Sequence, residues 1–308
     1  MTLAEALGKA RRRLRAVGIE EAGLDAEVLL RRALEISREA LLARLQEPLP
    51  AGPRAVFEAF LQRRLAHEPT AYIVGHKEFF GLDLACSRAA LIPRPESELL
   101  VEYAIDWLRT TSPASLTRLD RADSAKGATP LRRPSIVDLG TGTGALAIAL
   151  ALHVPGTWAV AIDTSRPALE LARCNAAAHG VADRIAFVQG TLLTPLRGAF
   201  DIILANLPYV PSQTYNRLSP EIRENEPEGA LRAGRRGTSV IERMLAQAPA
   251  HLRPGGLLLA EHGWNQGRWL REAARAAFPD ACVETRRDLA GVDRMLVVDG
   301  SRPAAAGR

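Results

Sequence analysis

The stretch that decides the fold is VDLGTGTGALAIALA, Val137 to Ala151. A short apolar run ends at Leu139, glycines alternate at Gly140, Gly142 and Gly144, and a helical pattern starts at Ala145. Glycine lets a backbone approach a ligand closely and take φ values that side chains forbid, so a strand, glycine turn and helix in this order suit a nucleoside cofactor. Roughly 20 residues later, VAIDTS closes the next apolar run on Asp163, where a carboxylate can accept hydrogen bonds from two ribose hydroxyls. The glycine turn alone also fits a tight connection that binds nothing. Turn, helix, strand and terminal acid together point to a cofactor at the carboxyl ends of a parallel sheet.

Working outward, short apolar runs recur at 136–139, 159–162, 185–188, 202–205, 257–260 and 295–298, with helical stretches such as 145–153 and 166–179 between the first four. Such alternation predicts a parallel sheet covered by helices on both faces. The loop itself departs from the dinucleotide fingerprint GxGxxG, and Asp138 stands two residues before Gly140. An acid there is unwelcome beside a diphosphate. DLGTGTG resembles the cofactor loop of S-adenosylmethionine-dependent methyltransferases, and the resemblance implies that cofactor, with its methionyl ammonium.

ILANLPYVP, Ile203 to Pro211, runs a strand into an amide, a proline and an aromatic ring. In a doubly wound sheet the fourth strand ends beside the crevice where a methyl group would sit. Asn-x-Pro-Tyr there suggests methylation of a planar NH₂ group, either a side-chain amide or an exocyclic base amine. Such a nitrogen carries two N–H donors that need acceptors in a dry site. The Asn206 side-chain oxygen can take one and the Leu207 carbonyl the other. Pro208 keeps Leu207 extended and aims that carbonyl, and Tyr209 can lie against the flat substrate group. Alignment then supplies most of the catalysis, and no base is needed before attack. Taken alone, the same four residues would read as an ordinary turn after a strand.

The chain has 308 residues, 47% of them hydrophobic, enough for one large domain or two modest ones. Its start reads as an amphipathic helix rather than a signal peptide, and no apolar run is long enough to span a bilayer. Cys86, Cys174 and Cys282 lie far apart without a CxxC pair, which argues against a zinc site or disulfide framework and fits a reducing cytoplasm. No metal is expected. The net charge of +5 is carried almost wholly by arginine and is weak evidence about partners.

Helical periodicity over 4–17, 25–33, 38–45 and 54–65 predicts a small helical domain, bounded at 1–68. Aromatic and β-branched residues around Gly75 and Gly81 predict a β-hairpin over Thr70–Ser87, within a connector spanning 69–92. After LIPRPESE a helix is expected from Ser97 to about Arg109. The segment 110–134 has no steady period and reads as an exposed mobile loop. The catalytic domain is assigned to 93–299, with a disordered tail at 300–308.

Several stretches together are similar to one family, the protein-(glutamine-N5) methyltransferases that modify peptide chain release factors. They are DAEVLL, AYIVGHKEFFGLDL, LIPRPESELLVE, VDLGTGTG, AIDTS, NLPYVP, EPEGAL, LRPGGLLLAEHGWNQ and DLAGVDRM. The resemblance implies a Rossmann-like class I methyltransferase sheet preceded by the helical domain and hairpin. It also implies a release factor as protein partner, with a Gly-Gly-Gln loop entering the crevice and the helical domain helping to hold that partner. Its cofactor contacts fall on Asp138, Gly140, Thr141, Gly142, Thr143, Gly144, Asp163, Thr191, Leu192 and Asn206. Its amide clamp falls on Asn206, Leu207, Pro208 and Tyr209, and its crevice border on Arg94, Pro95 and Glu96. Glu226 and Pro227 match a further segment. The chain departs from the family pattern at Leu207, usually proline, at Thr191, often an acid, and at Ser97, often threonine.

Other readings stay open. A glutamine of a large-subunit ribosomal protein would use the same chemistry. NLPY is also similar to ribosomal RNA adenine dimethyltransferases, which place the glycine loop near the N-terminus and a helical domain after it, the reverse of the order here. A non-catalytic binding module would not need the acid, the glycines and the clamp together.

Overall fold

The computed structural model describes residues 1–111 and 133–304. Most of the loop expected at 110–134 lies outside the described residues; Thr110 and Thr111 end a helix. In chain order the elements are α1 (Leu3–Ala16), α2 (Ala22–Leu34), α3 (Arg38–Ala43), α4 (Ala51–Leu65), α5 (Thr70–Val74), β1 (His76–Phe79), β2 (Leu82–Ala85), α6 (Glu98–Thr111), β3 (Ser135–Leu139), α7 (Ala145–His153), β4 (Trp158–Asp163), α8 (Arg166–Ala178), β5 (Ile185–Gln189), β6 (Phe200–Ala205), α9 (Ser212–Tyr215), α10 (Pro220–Asn225), α11 (Ser239–Gln247), β7 (Leu252–Glu261), α12 (Gly267–Ala277), β8 (Ala281–Arg287) and β9 (Asp293–Pro303). No described helix is long and apolar enough to cross a membrane.

The chain divides into two compact units. The helical unit comprises Met1–His76, Cys86–Arg88 and Ser219–Glu226. Helix α1 opens with a capping box: Glu5 N donates to Thr2 Oγ1 and Thr2 N donates to Glu5 Oε2. Its buried stripe, Leu3, Ala6, Ala10 and Leu14, meets Leu29 and Leu30 of α2 and Phe57 and Leu61 of α4 in one core. That core also takes in Ile73 and Val74, so the unit runs past the expected boundary at residue 68. Buried Arg64 donates to Asp25 Oδ2 and to Glu221 Oε2, each at 2.7 Å, while Thr70 Oγ1 donates to Asp25 Oδ1 at 2.6 Å. Glu221 lies on α10, so that segment of chain belongs with the helices.

The hairpin differs from the expectation over 70–87. Residues Thr70–Val74 form a helical turn, started after Pro69 and closed by Gly75 at φ 85°, whose N–H donates to Ala71 O. Apolar and β-branched content favours a strand here, but the Pro and Gly at either end suit a short helix better. Only β1 and β2 pair, around a Phe80–Gly81 turn in which both residues have positive φ.

The second unit holds a seven-stranded sheet in the order β5-β4-β3-β6-β7-β9-β8. Strands β3 to β7 pair in parallel, and β9 is antiparallel to both β7 and β8. Successive residues of the central strands face opposite cores. Ile202 and Leu204 pack with α6 and α7 on one face, Ile203 and Ala205 with α11 and α12 on the other. Burial on both faces is why these strands read as unbroken apolar runs. Helix α7 is buried along Ala145–Ala151, as expected of a helix apolar all round. Strand β8 was not legible as an apolar run: it lies at the sheet edge and ends in exposed arginines. The disordered tail expected at 300–308 is corrected for its first part, because β9 continues to Pro303, which pairs with Ala281. Residues 305–308 lie outside the described residues.

Candidate active site

The glycine loop leaves β3 at the middle of the sheet, the switch point where β3 neighbours both β4 and β6. Gly140 and Thr141 both donate their N–H to Ile162 O on β4, at 2.8 and 2.9 Å, which docks the loop onto the next strand. Gly140 sits at φ 70°, and a Cβ there would meet Leu207 Cδ2 at 3.3 Å and Asn206 O at 3.4 Å. The cofactor loop and the amide motif therefore lie side by side, and a side chain at Gly140 would be tight against Leu207 as well as strained at its left-handed φ.

Asp138 is 1% exposed. Its Oδ2 accepts from Thr141 Oγ1 at 2.6 Å and from Ala147 N at 3.3 Å. Its Oδ1 is buried without a hydrogen-bond partner. Burial pushes the carboxyl up to about 6, opposed by the hydrogen bonds from Thr141 and Ala147. A buried acceptor without a donor is costly unless a ligand supplies one, and a cationic ammonium would satisfy it. Asp163 is held differently. Its Oδ2 accepts from Gly142 N at 3.0 Å and its Oδ1 from Ser165 N at 2.9 Å. A carboxylate offers about four acceptor positions, so both oxygens stay available to hydroxyl donors while the backbone fixes their aim.

These groups line one cavity of about 350 Å³. Of the residues singled out in the sequence, Arg94, Asp138, Gly140, Thr141, Gly142, Thr143, Asp163, Thr191, Leu192, Asn206, Leu207 and Pro208 contribute to its wall. Pro95, Glu96, Gly144 and Tyr209 are not in that wall. Gly144 precedes α7 at φ 85°, and a Cβ there would strike Ile148 Cδ1 at 2.9 Å and Ala172 Cβ at 3.2 Å, so packing alone already requires glycine at this position. Pro227 lines the cavity, whereas Glu226 belongs to the helical unit. Leu192 adopts φ 52°, uncommon for leucine, at the turn that carries it into the wall.

The sequence does not single out Glu261, the last residue of β7, and marks Ser97 only as the start of a helix and as a departure from the family's threonine. Ser97 Oγ donates to Glu261 Oε2 at 2.5 Å and accepts from Asn206 Nδ2 at 2.8 Å. Tyr209 Oη donates to Glu261 Oε1 at 3.0 Å. Tyr209 is tied through its hydroxyl to Glu261 and is not in the cavity wall. Burial raises the Glu261 carboxyl, and burial followed by the nearby Glu261 charge raises the Tyr209 hydroxyl. The signal for Glu261 was present: an acid closing the buried run LLLA at the carboxyl end of a central strand. Behind Tyr209, Gln266 Nε2 donates to Tyr209 O at 2.8 Å and to Arg236 O at 3.0 Å, holding the segment after the motif in place.

Comparison with known proteins bears on these groups. Residues 5–75 match the PrmC N-terminal domain family, and residues 124–222 match the methyltransferase small domain. A "Release factor glutamine methyltransferase" from Bradyrhizobium diazoefficiens is 38% identical over 92% of this chain and 90% of its own length. One from Moorella thermoacetica is 40% identical over 96% of this chain and 98% of its own. Among solved structures, the hMettl16 catalytic domain in complex with MAT2A 3'UTR hairpin 6 overlays with a TM-score of 0.54 at 15% identity, covering 77% of this chain and 84% of that one. At that identity the likeness concerns the fold alone.

Proposed function

The chain belongs to the release factor glutamine methyltransferase family, and from that premise we propose that it methylates the side-chain amide nitrogen, N5, of the glutamine in the Gly-Gly-Gln motif of a peptide chain release factor. It is an S-adenosylmethionine-dependent methyltransferase. The observation that carries the substrate reading is Asn206: its amide borders the same cavity as the glycine loop and is tied at its Nδ2 to Ser97.

The residues present fit S-adenosylmethionine. The partnerless Asp138 Oδ1 suits its ammonium, the Asp163 carboxylate its ribose hydroxyls, and the Thr191–Leu192 turn lends wall to its base. When bound, the cofactor supplies an electrophilic methyl group on a sulfonium and leaves as a neutral thioether. Asn206 Oδ1 and Leu207 O accept the two N–H groups of the substrate amide. This turns the nitrogen lone pair, otherwise delocalised into the carbonyl, toward the methyl carbon. The nitrogen gains a C–N bond and then releases one proton to water, so no side chain has to act as base beforehand. Leu207 fulfils the family's proline position through its carbonyl, and its buried side chain packs against Gly140. A translation factor as substrate puts the activity in the cytoplasm.

The test is methylation of purified, unmethylated release factor with isotope-labelled S-adenosylmethionine, the site read by peptide mass spectrometry. Label on the Gly-Gly-Gln glutamine is the expected result. Label confined to a ribosomal protein or to ribosomal RNA would overturn the proposal.

A further inference from the structure

We propose that Glu261 is a positioning residue that sets which end of the Asn206 amide faces the substrate, acting through the hydroxyl of Ser97. The inference rests on amide methylation as proposed above and concerns how the acceptor is aimed.

An asparagine amide is nearly symmetric in shape but not in chemistry: one end accepts and the other donates. If the NH₂ end faced a substrate NH₂, donors would oppose donors and the clamp would repel what it should hold. Shape cannot choose the correct end; hydrogen-bond polarity can. Both oxygens of the Glu261 carboxyl receive hydroxyl donors, from Ser97 at 2.5 Å and from Tyr209 at 3.0 Å, so toward these two partners it acts as acceptor only and the single Ser97 hydroxyl proton is committed to Oε2. With its proton committed, Ser97 Oγ can only accept from its other neighbour. Asn206 must therefore present Nδ2 to Ser97, at 2.8 Å, and Oδ1 becomes the end offered to the substrate.

The second carboxylate oxygen does the same for Tyr209, receiving its hydroxyl at 3.0 Å. One buried acid at the end of β7 thus fixes two members of the Asn-Leu-Pro-Tyr motif from behind, touching neither the cavity nor the reacting atoms. Glu261 is 1% exposed and Ser97 4%, so water does not compete for these bonds. Charged groups that bear on the carboxylate are Arg294, from neighbouring β9, and Glu96, from the turn before α6.

Glutamine at 261 would have one acceptor and one donor end for two hydroxyls that both need to donate. Either Ser97 or Tyr209 is then turned around. We expect Glu261→Gln and Ser97→Ala each to lower kcat by about 10- to 100-fold, the range for losing one aimed acceptor. The Kd for S-adenosylmethionine should stay within about threefold of wild type, because the groups suited to the cofactor's ammonium and ribose are Asp138 and Asp163, which neither substitution touches. The double variant should be little worse than either single one, since both break the same relay. Ser97→Thr separates relay from packing. It enlarges a buried side chain but keeps the hydroxyl, so the relay predicts that it rescues most of the turnover lost in Ser97→Ala. A packing role predicts the reverse order.

The experiment is steady-state methylation of full-length release factor by the four variants and wild type, with cofactor binding by calorimetry as the control. Turnover ordered wild type, Ser97→Thr, then Ser97→Ala and Glu261→Gln together supports the inference. Should Glu261→Gln fail to fold, the alanine and threonine variants decide alone. Wild-type turnover matched within twofold by both Ser97→Ala and Glu261→Gln, or Ser97→Thr slower than Ser97→Ala, overturns the inference and leaves the function standing. No methylation of release factor by wild type overturns the function and the inference with it.

Discussion

Replacing Asp138 by asparagine tests the cofactor end of the site most directly. With the carboxyl pushed up to about 6 by burial, it is half protonated near pH 6 in the ligand-free protein. A cationic ammonium binds the ionised form, so affinity for S-adenosylmethionine should be flat above about pH 7 and fall as pH drops through 6. At pH 5 about one tenth of the sites remain ionised, which weakens binding about tenfold relative to pH 7.5, or about 1.4 kcal/mol. Asp138→Asn should bind about 10- to 100-fold more weakly at pH 7.5, the range for losing a hydrogen bond to a charged group, and should lose the acid dependence. Stability moves the other way. The folded carboxyl lies above its ordinary value of 3.8, so the folded state holds the proton more tightly than the unfolded chain. Ligand-free stability is therefore highest below pH 4 with respect to this group. It declines as pH rises to 6 and is then lower by about 3 kcal/mol, which the asparagine variant recovers in part. Calorimetric titration between pH 5 and 7.5, with urea unfolding of the ligand-free protein, reads both effects. A wild-type Kd that does not change over that range, or an asparagine variant with the same acid dependence, would refute the assignment of Asp138 to the ammonium.

Asn206→Ala should abolish detectable turnover while cofactor affinity, measured by the same titration, stays within a few fold; full activity would remove the amide clamp from the mechanism. Gly144→Ala forces a Cβ into Ile148 and Ala172 at a left-handed φ, and should cost about 2–4 kcal/mol of unfolding free energy. A urea midpoint equal to wild type would contradict that packing. Arg64→Ala leaves Asp25 buried without its cation and Glu221 without its partner; removing one side of a buried pair typically costs about 3–5 kcal/mol. Arg64→Met should be milder than Arg64→Ala in a thermal melt, because it restores the buried stem; equal loss would point to charge alone.

How far the residues spoke for themselves follows from what each signal depends on. Strands β3, β4, β6, β7 and β9 announce themselves because their central residues are buried on both faces and leave no room for polar residues, while β5, at the other sheet edge, is legible through its apolar run Ile185–Val188 although it is only half-buried. β8 does not, since an edge strand with exposed arginines has no apolar run to find. The segment TAYIV was misleading because β-branched content suits a strand, whereas the flanking Pro69 and Gly75 end up closing one helical turn. At the site, Asp138, Asp163 and Asn206 stand at strand ends and could be located by counting from the apolar runs. Glu261 obeys the same rule and was passed over because its partners, Ser97 and Tyr209, lie 164 and 52 residues away in sequence. Gly144 shares its spacing with Gly140 and Gly142, and the sequence does not reveal that a Cβ there would strike Ile148 and Ala172.

The chain's short excursion through α10 carries a consequence for recombination between relatives. Glu221 and Asn225 lie far downstream of the residues they bond, Glu221 to Arg64 of α4 and Asn225 Nδ2 to His67 O just beyond it. A crossover near residue 76 looks like a clean exchange of an N-terminal module, yet it would part each of these donors from its acceptor. Viable chimeras should therefore inherit residues 219–226 from the same parent as residues 1–76, two stretches of gene separated by the whole glycine loop and amide motif.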